Sequence, residues 1–97
     1  MGFKLSDALL LEVEPAGNRV RLVVYNGGVE NVCRLESVKN IISFIRGNDI
    51  QLFKGRLQLH KADGGIAVVV KGQLEGEILV DDLMACLEAV KFGKNLA

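Results

Sequence analysis

A chain of 97 residues, 49% hydrophobic and 25% charged, carries apolar material for one modest core rather than two. Its 12 basic and 12 acidic residues cancel, which excludes a long-range field that draws in nucleic acid or anionic membrane and leaves only local patches for such work. No unbroken apolar run is longer than that of residues 66–70, far short of the roughly 20 residues of a membrane span, and the opening MGFKLSD carries no apolar segment of signal-peptide length, so the expected setting is cytoplasmic with no membrane partner.

In chain order, a short apolar stub at Phe3–Leu5 precedes strands expected over 8–14, 19–25 and 29–35, divided by "PAGN" and "NGG" turns. A helix over 36–46 follows, with Val38, Ile41, Ile42 and Ile45 spaced i, i+3, i+4, i+7 as one buried stripe. Glu36 and Ser37 supply acceptors for its unpaired N–H groups, and Gly47 stands where helices stop. A second stub, Ile50–Phe53, leads into strands over 55–61, 65–71 and 74–80, the first pair joined through "ADGG". A second helix, 82–91, opens on Asp81 and Asp82 and carries Leu83, Cys86, Leu87 and Val90 at the same helical spacing.

The two halves are copies of one pattern. A shift of 46 lays Val20–Val24 on Ile66–Val70 and Leu11 and Val13 on Leu57 and Leu59. A shift of 45 then lays Val29, Cys33 and Leu35 on Leu74, Ile78 and Val80, and one helix stripe on the other. Chance apolar matching would not preserve turns, strand parity and helix phase together. The expected fold is α+β: one domain, 1–97, of two pseudo-two-fold-related βββα repeats (about 3–47 and 48–93), with antiparallel sheets packed on two helices. A profilin-like or longin-like sheet with helices, whose halves are not symmetry mates, fits the same elements.

Parity assigns side chains to faces. Val20, Leu22 and Val24 point toward the helices with Val29, Cys33 and Leu35, while Leu10, Glu12, Glu14, Arg19, Arg21, Val23, Tyr25, Glu30, Val32 and Arg34 are expected on an open face. Cys33 and Cys86 show no CxxC spacing and no neighbouring His, and are read as buried, reduced thiols. The single His, the absence of GxSxG, Walker, HExxH and GxGxxG patterns, and the lack of metal-ligand spacing point to no enzyme and no cofactor. His60 reads as a solitary strand imidazole, and Gly64 with Gly65 reads as a turn.

The remaining set is basic and aromatic: Arg19, Arg21, Tyr25 and Arg34 in the first copy, then Lys54, Arg56, His60 and Lys71 in the second. Cations beside a stackable ring on a strand face are how single strands are often held, while Glu12, Glu14, Glu30, Glu75 and Glu77 on the same surface offer neutralisation instead. The second copy, "IQLFKGRLQLHKADGGIAVVVKG" followed by "EILVDDLMACLEAV", resembles the single-stranded-DNA-binding domain of the positive coactivator four family and is similar in layout to Whirly and Pur repeats. The resemblance covers about residues 50–90. It implies two strand-rich units, each closed by a helix, presenting curved sheets to single strands. It also matches Lys54 and Arg56 to the family's basic residues at the "R-x-V-x-V" strand, here Arg56–His60, and places Lys71 near the basic end of the next. The aromatic pair after that strand and the tryptophan of the family's helix are absent here.

The expected function is a small single-stranded DNA- or RNA-binding protein, assisting transcription or replication, with Arg19, Arg21, Tyr25, Arg34, Lys54, Arg56 and Lys71 as contacts. The alternative is a protein-interaction or homodimerisation module in which Leu10, Val23, Tyr25, Val32, Val69 and Leu79 pair with another subunit.

Overall fold

The computed structural model describes residues 2–93, with side chains placed through residue 90. The first sheet comprises β1 (Gly2–Lys4), β2 (Leu9–Ala16), β3 (Arg19–Asn26) and β4 (Val29–Ser37), and α1 (Val38–Arg46) follows it. The second comprises β5 (Gln51–Leu52), β6 (Leu57–Ala62), β7 (Gly65–Val70) and β8 (Gln73–Leu79), followed by α2 (Val80–Gly93). Both sheets run in sequential order with antiparallel neighbours. The fold is α+β, as the periodicity predicts, but each repeat has four strands rather than three. The stubs pair as outer strands, Phe3 opposite Leu11 and Leu52 opposite Leu59.

Turn chemistry sets the hairpins. Gly27 and Gly28 both take positive φ, 59° and 84°, which the two-residue hairpin turn demands and only glycine adopts freely. Residues 71–72 make the corresponding turn with Lys71 at φ 52° and Gly72 at 84°. Ser37 caps α1 by accepting from the Asn40 N–H at 3.1 Å, and the Glu36 carboxylate accepts from the Ser37 N–H at 2.9 Å. At its other end the Gly47 N–H donates to Ser43 O at 2.8 Å, while the Lys61 ammonium donates to Gly47 O and lies 5.1 Å from the Phe44 ring, placing a cation at the helix's negative end.

One core serves both repeats. Leu11, Val13, Val20, Leu22 and Val24 of the first sheet and Leu57, Leu59, Ile66, Val68 and Val70 of the second join Ile41, Phe44, Leu83, Cys86 and Leu87 from the helices in a single cluster. The faces of β2, β3, β6 and β7 agree with parity. Those of β4 do not. The register slips between Val24, opposite Val32, and Tyr25, opposite Glu30, so Asn31 is the extra residue of a bulge and every later side chain of β4 is turned over. Val32 enters the core and Cys33 and Leu35 turn to the open side, reversing their expected sides, while Val29, before the bulge and opposite Asn26, is exposed at the start of the strand. A second slip, between Val68 and Val69, leaves Leu74 exposed while Ile78 stays buried. In α1 the fully buried residues are Val38, Ile41 and Phe44, with Ile42 and Ile45 only partly covered. The bulges also correct the repeat alignment: Val20 pairs with Glu36 and Ile66 with Ile78, an offset of 42 rather than 45, so Ile41 corresponds to Leu83.

The repeats clasp each other at their sheet edges. The segment after β1 lies on β8, where a Cβ on Gly76 would meet the Cα, Cβ and O of Leu5, each at 3.1 Å; hence the glycine. The segment after β5 lies on β4 in return: the Arg34 guanidinium sits 4.7 Å from the Phe53 ring centre, and a Cβ on Gly55 would lie 3.7 Å from Arg34 Nη1.

Candidate nucleic-acid interface

On the open face of the first sheet, pairing places Glu14 opposite Arg21 and Tyr25 opposite both Leu10 and Glu30. Arg21 Nη1 donates to Glu14 Oε1 at 2.9 Å, its Nη2 reaches diagonally to Glu30 Oε1, and the Tyr25 hydroxyl donates to Glu14 Oε2 at 3.1 Å. Val23 lies between Arg21 and Tyr25 on the same face and is 0% exposed, yet it is no member of the shared core; these four polar side chains cover it. The hydrogen bonds to Glu30 and Glu14 raise the Arg21 pKa further above its ordinary value, and the bond to Glu14 raises that of Tyr25. Two of the expected contact residues are therefore held by carboxylates. The apolar dimer face expected as the alternative is also interrupted, since Val23 and Val32 are buried within this chain.

The other cations gather elsewhere. β4 is an edge strand, and along it runs a cleft of about 270 Å³ lined by Glu30, Asn31, Val32, Cys33 and Arg34, closed on the far side by Arg56 and Leu57 at the start of β6. Lys71 joins this seam by two bonds: its N–H donates to Arg56 O at 2.7 Å and its ammonium to Asn31 Oδ1 at 2.9 Å. Lys54 is exposed in the connecting segment between Phe53 and Gly55. Among the described residues Arg34, Lys54, Arg56 and Lys71 make no ion pair. Glu30, the acid in the lining, is taken by Arg21.

Backbone conformation marks the same place. Phe53, at φ 71°, and Lys71, at φ 52°, are the non-glycine residues with positive φ among those described. Such conformations cost about 1–3 kcal/mol each for side-chain-bearing residues and persist only where the surroundings enforce them. Both border the seam, one beneath Arg34 and the other carrying the third cation.

Arg19 stands apart, opposite Ser37 on β4, three residues beyond Arg34 and so about 10 Å further along the strand. His60 shares Nε2 with Gln58 Oε1 at 2.8 Å, a neighbourly bond on the second open face. The sequence shows each basic residue singly but not that Arg34 and Arg56 share a cleft with Lys71 bonded to its wall, nor the parts of Asn31 and Cys33. The one signal within reach was the non-glycine residue in a hairpin turn at Lys71. Cys86 is buried as expected, and burial raises its thiol pKa; Cys33 is exposed on the cleft wall.

No helix among the described residues is long and apolar enough to cross a membrane. Comparison of the chain with protein-family models, curated proteins and solved structures gives no match in any of the three.

Proposed function

We propose that the chain binds single-stranded nucleic acid, DNA or RNA, and holds it by the phosphate backbone at the seam between the two repeats. The observation that carries this reading is that Arg34 and Arg56 line one cleft and Lys71 is bonded to Asn31 on its wall, with no carboxylate paired to any of the three among the described residues. The tandem layout of a strand-rich unit closed by a helix, implied by the resemblance to single-strand binders, supports it. Base stacking contributes little in this reading. The Phe53 ring is covered by Arg34 and the Tyr25 hydroxyl is held by Glu14, so binding is sequence-tolerant and led by charge.

Titrating a labelled oligothymidylate at several salt concentrations tests this. Affinity falls with salt by about 0.7 log unit per phosphate contact on a single strand. With three cations engaged, the slope is near 2, and Arg56→Gln combined with Lys71→Asn lowers it by about 1.4. Arg21→Ala changes it less, since Glu14 and Glu30 already hold that guanidinium. Absence of binding at low salt overturns the proposal.

A second reading rests on Leu35 and Leu79, 48% and 64% exposed on the edge strands β4 and β8: a protein-interaction or homodimerisation module built on strand edges. A dimer that Leu35→Asp dissociates, in a chain that ignores oligonucleotides, selects that reading.

A further inference from the structure

The seam concentrates charge more than a passing strand requires. A groove that tracks a single strand spaces its cations along the backbone, one near each diester. Here two cations, Arg34 and Arg56, line one cleft, a third, Lys71, is bonded to Asn31 on its wall, and the lining carboxylate, Glu30, is bound by Arg21. A phosphodiester brings one negative charge, whereas a terminal phosphomonoester brings about −1.5 to −2 at pH 7 and three strong acceptor oxygens.

We propose, resting on the single-strand reading above, that the cleft between β4 and β6 receives the terminal phosphomonoester of a strand, so that the protein prefers phosphorylated ends. The donor count fits. The Lys71 ammonium spends one of three donors on Asn31 Oδ1, leaving two, and the Arg34 and Arg56 guanidinium forks add planar pairs suited to phosphate oxygens. Size fits as well. At about 270 Å³ the cleft lies below the roughly 300–1,000 Å³ of sites that enclose whole small molecules, and suits a phosphate with its sugar while the base stays outside. The donors are also placed in advance: the Phe53 ring holds Arg34, and the Lys71 N–H bond to Arg56 O ties the turn to the start of β6. That arrangement reduces the ordering cost on binding.

The test uses the whole chain and oligothymidylates of one length bearing a 5′-phosphate, a 3′-phosphate or only hydroxyl ends, with inorganic phosphate as competitor. Fluorescence anisotropy gives affinity, and the alkylation rate of Cys33, exposed on the cleft wall, gives location. The expected result is binding about tenfold tighter for one phosphorylated end than for hydroxyl ends. That end also slows Cys33 alkylation, and Arg56→Gln with Lys71→Asn, which weakens every strand, brings phosphorylated and hydroxyl ends to the same affinity. Asparagine at 71 tolerates the left-handed backbone, so the turn is kept. Equal affinities for all three ends overturn end recognition and leave single-strand binding standing; absence of all binding removes both. A preference that neither protects Cys33 nor responds to the double substitution overturns the placement in this cleft.

Discussion

Corresponding positions on the two open faces carry different chemistry. In the first sheet Glu14 faces Arg21 and Glu12 faces Val23; in the second, His60 faces Ala67 and Gln58 faces Val69. The backbone register is the same, yet Val23 is fully covered and Val69 only half-buried. Burial in a sheet facing solvent is thus decided by what neighbouring long side chains do: Arg21, Tyr25, Glu14 and Glu30 fold over a valine in one repeat, and the shorter Ala67 leaves its counterpart uncovered. The shared face toward the helices, in contrast, is nearly interchangeable between repeats.

The largest effect tests that interchangeability. Ile41→Ala and Leu87→Ala remove buried branched side chains from one core, and each is expected to cost about 2–5 kcal/mol in urea unfolding. Both proteins unfold in a single transition, because the core belongs to both repeats; two resolved transitions would show independent halves. A smaller effect separates the open faces. Val23→Ala is expected to cost about 1.5–3 kcal/mol, the worth of a fully buried valine, and Val69→Ala a fraction of that. Equal losses would mean that the covering of Val23 contributes nothing. The smallest effect is a titration. Tyr25 is the only tyrosine and the chain has no tryptophan, so phenolate absorbance reports Tyr25 alone. Its pKa is raised by the bond to Glu14 and by desolvation, so the native midpoint lies above about 10, the ordinary tyrosine value; it returns to that value in urea and falls toward it in Glu14→Gln. The raised value favours the protonated hydroxyl in the native state. Its stabilising effect is therefore complete below the unfolded pKa and is lost as pH rises through the folded one.

Much of the architecture was legible because alternation and helical spacing are local signals. Strands β2, β3, β6 and β7 kept their parity from end to end, and Ser37 and Gly47 took the helix-end roles their chemistry predicts. The bulges were not legible: an extra residue at Asn31 leaves the apolar pattern of β4 readable in either phase, and the wrong phase put Cys33 inside and Val32 outside. Phe44 displaced Ile42 and Ile45 from the fully buried set of α1 because the helix packs against a second repeat as well as its own sheet. The site was legible only in its parts. Arg34 and Arg56 reach one cleft from different repeats and Lys71 joins it through Asn31 and Arg56, and the commitment of Arg21 and Tyr25 depends on diagonal reaches across three strands.

The clasp at the sheet edges bears on stoichiometry and direction. Two identical chains joined by such a clasp would own two equivalent seams, related by symmetry, and would read a strand the same way from either end. Within one chain the two seams have diverged: at β4 the clasping segment brings Phe53 beneath Arg34 and sets Gly55 beside it, while at β8 it lays Leu5 directly against Gly76. One seam carries cations and the other is an apolar closure. On the single-strand reading proposed above, a fused pair of repeats built this way would take one ligand per molecule and give it a fixed polarity.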